Sequence, residues 1–403
     1  MQIDDGRVFD PFDDHQPVAW EYFSELRRSC PVTELPTGVL LLSRYDDVHD
    51  ILRDGGERVR HFSHEGGMRA PGVIVPDEEK LINELDGPRH TRRRKLLMTA
   101  LHPRLVAAAE PYIRDLARRL LQPLLDAGGG DLVTEWAQPL PGMVFAHVLG
   151  LPEQDYPQFK AWSDEVLAGT YPRLNRTDRG EGLHGAHPEL SAYIDGLADD
   201  RRARPRGDLI THMVEAEHDG DRLSQTEVRV LVMHLLVAGH ETTANLLGNL
   251  LYHLLSHPGH LGALRADPAL VPMAVEESLR RDPPVLIQPL SCVAAATCSG
   301  TTINAGTRVV LSIAAANRDP GAYDHPDEFR LDRDGAPPHN AFGGGAHFCP
   351  GAPLARLEAK VALEVFFDRV QDAALEAGHT YVKVPVFWAN GPEHLRVRLV
   401  PRA

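Results

Sequence analysis

One run of this 403-residue chain constrains its fold more than any other: Ser224 to Ser256. Ser224-Gln225-Thr226-Glu227 has the spacing of a capping box, in which a hydroxyl and a carboxylate satisfy free N–H groups at a helix start. The helix that follows is apolar on nearly all sides through Leu231-Val232-Met233-His234-Leu235-Leu236-Val237-Ala238-Gly239, and His257-Pro258 stops it. A helix with no polar face runs through the middle of a domain. Inside it stands Ala238-Gly239-His240-Glu241-Thr242-Thr243. An acid and a hydroxyl are costly there unless they are used. The Thr242 hydroxyl could bond back to the Ala238 carbonyl and bend the helix, opening a groove along it. A zinc-hydrolase reading of His240-Glu241 fails, because Ala244 stands where the second histidine would be.

The second constraint is Phe342-Gly343-Gly344-Gly345-Ala346-His347-Phe348-Cys349-Pro350-Gly351. Its glycines permit backbone angles closed to other residues, so the loop can turn tightly. Ala352-Pro353-Leu354-Ala355-Arg356 then reads as a helix whose proline falls in the first turn. Cys349 thus lies at a helix N-terminus, where the dipole and free N–H groups favour a thiolate. Such a thiolate can attack a substrate or bind a metal. A phosphate loop would need Lys-Ser or Lys-Thr after the last glycine, where Ala346-His347 stands.

This ten-residue stretch resembles the haem-binding loop of the cytochrome P-450 family, F-G-x-G-x-H-x-C-x-G, at every fixed position. The resemblance implies that Cys349 ligates the iron of haem b (iron protoporphyrin IX), a thiolate ligation that favours O–O cleavage. It also implies that His347 contacts a haem propionate, that Phe342 packs near the sulfur and that Gly351 belongs to the same loop. Ala238-Gly239-His240-Glu241-Thr242 matches the family's A-G-x-[DE]-T. That match implies a groove for O2 at Ala238 and Gly239, with Glu241 and Thr242 relaying protons. His90 and Arg94, four apart and so on one helix face, match a family pair that binds the propionates. Glu277-Ser278-Leu279-Arg280 matches the family's E-x-x-R. The resemblance implies a buried structural pair there, completed by Arg333 downstream. One departure stands out: the family places an Arg after that helix, and Gln288-Pro289-Leu290-Ser291-Cys292-Val293-Ala294 has none.

Elsewhere the sequence predicts helices over Ala19 to Ser29, Asp46 to Leu52, Arg89 to Ala109 (broken near Pro103), most of Tyr112 to Gly169, Pro188 to Arg204 and Val271 to Arg281. Strand character is expected at Val39 to Leu42 and in short runs over 285–312 and 381–399. Residues 55–88 and 170–187 read as long loops, the latter lying where the family has its lid. The expected fold is therefore mainly α with small β-sheets, a single cytochrome P-450 domain over 1–403 with haem between a long central helix and the cysteine loop. The net charge of −15 argues against a general nucleic-acid binder. The four cysteines lack framework spacing, so reduced thiols in a cytoplasm are expected. No membrane anchor is expected, since no apolar run is read as approaching the ~20 residues a spanning helix needs.

The function implied is a haem-thiolate monooxygenase, monomeric, that inserts one oxygen atom from O2 into a hydrophobic small molecule, with hydroxylation the leading chemistry. Epoxidation, coupling or peroxide-driven oxidation are alternatives, and a non-catalytic haem carrier or sensor is a more distant one. By resemblance the substrate pocket would involve Val73, Ile74, Val75, Val237, Val285, Leu286, Ile287, Gln288, Phe387 and Trp388. Electrons would come from ferredoxin and ferredoxin reductase. Between Pro88 and Ala109 there are six Arg or Lys and no Asp or Glu. The helical period turns Arg92 and Lys95 away from His90 and Arg94. Arg92 and Lys95, with Arg356, are therefore expected to form a solvated basic patch for an acidic ferredoxin.

Overall fold

The computed structural model describes residues 18, 20–53, 61–64, 75–162, 165 and 187–402, with the side chain of Val237 excepted. Val73, Ile74 and nearly all of the expected lid lie outside these residues. The described chain forms two compact units, each assembled from separate stretches: one from 1–62, 113–140 and 242–403, the other from 63–112 and 141–241.

In the first unit, the strands Val32–Glu34, Leu40–Leu42, Arg308–Ser312 and Ile287–Cys292 lie side by side in that order, with Phe62–Ser63 at the far edge. Leu41 pairs in parallel with Val310, and Val309 pairs antiparallel with Leu290. Side chains alternate across a strand. Leu41 and Val310 therefore enter one core cluster with Tyr22, Phe23 and Leu26, while Leu42, Val309 and Leu311 enter another with Val48 and Leu52. Both faces are covered, which is why Val39 to Leu42 reads as an unbroken apolar run. Val48 and Leu52 belong to the helix Tyr45–Arg53, whose other contacts support the cysteine loop. Over the expected 381–399 run, strand structure reduces to the bridges Val285 to Ala389 and Lys383 to Pro392, followed by the strand Arg396–Pro401.

The second unit is built on Gly87–Ala100, Pro103–Ala108, Pro139–Leu149, Pro188–Ala203 and Leu209–Glu215. The break at Pro103 falls where the sequence placed it. Arg201 is 1% exposed and bonds Asp208 at 2.6 Å and the Gly150 carbonyl at 2.7 Å. Gly150 has φ of +83°, and an added Cβ would stand 2.1 Å from the Asp208 carboxylate, so this packing requires glycine.

The helix Gln225–Ser256 is continuous for 32 residues. Its capping box forms as read: Glu227 N–H donates to Ser224 Oγ at 3.1 Å, and Ser224 N–H donates to Glu227 Oε2 at 2.9 Å. By length and composition this helix could cross a membrane, which corrects the expectation that no run approaches that span; 65% of its most apolar window is buried in the protein. Its C-terminal half carries amides at a four-residue spacing. Asn245 and Asn249 are buried, and Asn249 donates to the carbonyls of Asp282 and Asn390 at 3.1 and 2.8 Å while accepting from the Tyr381 hydroxyl. One turn further, His253 meets His260 at 3.0 Å.

Candidate haem-binding site

The cysteine loop is shaped by contact with the helix Tyr45–Arg53. Gly343 and Gly345 have φ of +71° and +55°. A Cβ at Gly345 would stand 2.8 Å from the Leu52 carbonyl oxygen, and one at Gly344 3.2 Å from the Leu52 Cβ. Tight turning and close backbone approach therefore both demand glycine here. Within the loop, Cys349 N–H donates to the Phe342 carbonyl at 2.9 Å and Gly343 N–H to that of Asn340, also at 2.9 Å. Asn340 N–H donates in turn to the side chain of the fully buried Asn317. The helix Ala352–Arg369 begins three residues after Cys349. The cysteine is half-buried, and the position a Cβ would take on Gly351 is 3.8 Å from its Sγ. His347 is half-buried in the turn Gly345–His347.

Two carboxylates on the neighbouring helix Val271–Arg281 hold this region. Glu277 is the expected structural acid. Arg280 binds it twice, at 2.7 and 2.8 Å, Arg333 Nε binds it at 2.8 Å, and Arg330 N–H donates to it at 2.9 Å. Arg280 also reaches the carbonyls of Asn317, Pro326 and Glu328, so its buried donors are satisfied. Glu276 was not anticipated. It takes a bidentate contact from Arg356 at 2.6 and 2.8 Å, and His339 Nε2 lies 3.2 Å away. Burial alone would raise the Glu276 pKa, but Arg356 and His339 outweigh it and hold it down at about 2. The Arg356 guanidinium also lies 4.6 Å from the centre of the Phe342 ring. Arg356 is thus engaged with the loop as well as part-exposed.

In the second unit, the helix Gly87–Ala100 buries His90 at 2% exposure and leaves Arg94 half-buried. The residue between them is anchored as well. Arg93 is 3% exposed and donates to the carbonyls of Lys80 and Asp77 at 2.6 and 2.8 Å and to Glu227 at 3.2 Å. Arg92, expected in solvent, is ion-paired. It binds Asp221 through two nitrogens, Glu227 at 2.7 Å and the Arg222 carbonyl at 2.7 Å. Asp221 and Glu227 raise its pKa further. Burial would raise the Glu227 pKa, yet the Ser224 N–H and Arg92 leave it lowered. The capping carboxylate thus doubles as an anchor for two arginines, a role its local sequence does not announce. Of the expected basic patch, Lys95 is exposed as read.

Along the central helix, Leu236, His240 and Thr243 are buried, but Ala238 is exposed and Gly239, Glu241 and Thr242 are half-buried. A Cβ added at Gly239 would meet nothing within 4 Å. A flat, mostly apolar ring with two carboxylates needs a helix face of small residues, a soft ligand and cationic or imidazole donors. Ala238 and Gly239, Cys349, and the set His90, Arg94 and His347 have that chemistry, so the residues present fit haem. The strand Ile287–Cys292 adds no cation. Of the expected pocket residues, Leu286 and Ile287 are 6% and 3% exposed inside a core cluster, with Phe387 and Trp388 packed against it. Val75 is 4% exposed, while Val285 and Gln288 are half-buried.

Comparisons with known proteins agree with this chemistry. The sequence profile of the cytochrome P450 family matches residues 186–371. The chain is 39% identical to a vitamin D(3) 25-hydroxylase from Pseudonocardia autotrophica, covering 88% of this chain and 87% of that protein. It is 38% identical to an erythromycin C-12 hydroxylase from Saccharopolyspora erythraea, covering 87% and 86%. Among solved structures, cytochrome P450 CYP109Q5 from Chondromyces apiculatus superposes with a TM-score of 0.86 at 36% identity, covering 97% of this chain and 98% of that one. The chain belongs to the cytochrome P450 family and is a haem-iron monooxygenase.

Proposed function

We propose that this protein hydroxylates a hydrophobic small molecule of the steroid, terpenoid, polyketide or aromatic kind, with haem b held by Cys349. The balance is R–H + O2 + two electrons + two protons giving R–OH and water. The haem, when bound, supplies the oxidation, and the chain supplies ligand, protons and orientation. Cys349, half-buried, would hold the haem iron through its sulfur, with Phe342 packed near it. His90, Arg94 and His347 would hold the propionates, and Ala238 and Gly239 would supply the small-residue helix face that a flat ring needs. Glu241 would take up protons and the neighbouring Thr242 hydroxyl would pass them on. The substrate class draws support from the vitamin D(3) and erythromycin hydroxylases among the relatives. Electrons come from ferredoxin through ferredoxin reductase, in a monomeric cytoplasmic enzyme working as one catalytic domain. Both compact units are assembled from interleaved stretches, which favours a single domain over two independent ones.

The observation that carries this reading is the loop that delivers Cys349, hydrogen-bonded through its own N–H, to the start of a helix. Replacing Cys349 with Ala should abolish the red-shifted Soret band of the reduced carbon-monoxide complex. Survival of that band would overturn the ligand assignment.

A further inference from the structure

We propose that Glu276 is a positioning residue for the cysteine loop, acting through Arg356 and His339 on Phe342. The inference rests on the reading of Cys349 as the iron ligand.

Glu276 and Glu277 are neighbours on one helix, so their side chains leave it about 100° apart. Glu277 faces the buried arginine clamp, at 3% exposure, and Glu276 faces the loop, with its side chain 38% exposed. Both oxygens of Glu276 are engaged by Arg356 Nε and Nη2, the geometry in which a planar guanidinium is fixed in orientation as well as place. That orientation sets the cation 4.6 Å from the Phe342 ring centre, within cation–π range. His339, at 3.2 Å from Glu276, brings its own ring to 6.0 Å from that of Phe342. Its Nδ1 accepts the Ala341 N–H at 3.3 Å, one residue before Phe342. One carboxylate therefore anchors two groups that meet the same aromatic ring from different points. Phe342 in turn accepts the Cys349 N–H. The path from Glu276 to the cysteine backbone thus passes through two intermediates, Arg356 or His339 and then Phe342.

An arginine at this place would otherwise count as surface charge. The bidentate grip and the ring beneath make it part of the loop's scaffold. A guanidinium freed from Glu276 would still be drawn to the ring, but its plane would no longer be fixed, and His339 would lose its second anchor.

The test uses the haem-loaded protein and three variants: Glu276→Gln, Glu276→Asp and a Glu276→Gln/Arg356→Gln double. In mild urea, Glu276→Gln should lose the red-shifted Soret band of the reduced carbon-monoxide complex roughly tenfold faster than the parent, as expected for one charge-assisted contact. Glu276→Asp should recover part of that rate, and the double variant should be no faster than the single one. Amide exchange at Gly343 and Cys349 should quicken by a similar factor while the helix Val271–Arg281 keeps its protection. An unchanged rate, or band loss that follows the loss of helical circular dichroism in step, overturns the proposal. So does equal loss of protection in that helix, which would make Glu276 a prop for its own helix only. A parent protein that never shows the red-shifted band would instead sink the ligand assignment.

Discussion

Glu358 offers the most direct test of how this protein manages buried charge. It lies in the helix that follows the cysteine, on the same stripe as Leu354, Val361, Ala362 and Val365. It is 3% exposed, and its Oε2 has no hydrogen-bond partner among the described residues. Burial raises its pKa well above the ordinary carboxylate range. The folded protein therefore keeps a proton that the unfolded chain gives up near pH ~4.3. Below that pH both states are protonated and the neutral acid costs nothing extra. As pH rises from there toward the folded-state pKa, stability is lost at about 1.4 kcal/mol per unit. Glu358→Gln removes the titration with little change in shape. The variant should match the parent near pH 4 and then gain on it by about 1.4 kcal/mol per pH unit. With a urea m-value of about 3 kcal/mol/M, the midpoint separates by ~0.5 M per unit. Urea unfolding of the haem-loaded protein, followed by circular dichroism at half-unit steps from pH 4 upward, reads this directly. A pH-independent difference, or a Gln variant weaker throughout, would refute the reasoning and show that the carboxylate is ionised and paired.

Two further outcomes follow from the site. Thr242→Ala should bind haem and substrate as before but divert electrons to peroxide or excess water. Product per electron pair should fall on the order of tenfold, given what positioned proton transfer contributes; unchanged coupling would remove Thr242 from proton delivery. Glu277→Ala leaves Arg280 and Arg333 without their shared buried carboxylate and should cost about 3–5 kcal/mol. Recovery as aggregated or haem-free protein is expected, and a soluble, haem-loaded variant with the parent's unfolding midpoint would contradict that figure.

What could be read from the sequence was what is decided locally. Pro103 breaks its helical run, Pro188 opens a helix, His257-Pro258 ends the central one, and the Ser224–Glu227 box forms as its spacing requires. The Glu277–Arg280 pair was legible because three residues along a helix bring side chains together whatever else surrounds them. The errors arise where the partner is distant in sequence. Arg356 meets a carboxylate 80 positions away, and Arg92 meets two more than 125 away. Helical periodicity shows which way a side chain points but says nothing of what waits there. The same limit hid Arg93, whose carbonyl partners lie in the 77–80 turn. Nor does it separate a core position from a pocket position at Leu286 and Ile287, since an apolar core and an apolar pocket have the same composition.

The amides along the central helix bear on how the newly made chain is sorted in the cell. By hydropathy alone this helix could be taken for a membrane-spanning segment. Asn245, Asn249 and His253 recur every fourth residue, so they project as one seam. In hydrocarbon that seam would strand its donors and acceptors, a cost of several kcal/mol for each unsatisfied group. Inside the fold, Asn249 finds the carbonyls of Asp282 and Asn390 and the hydroxyl of Tyr381. All of these lie C-terminal to the helix and emerge from the ribosome after it. For that interval the seam itself opposes lipid insertion, and the residues that later lock the helix in place are those that satisfy it.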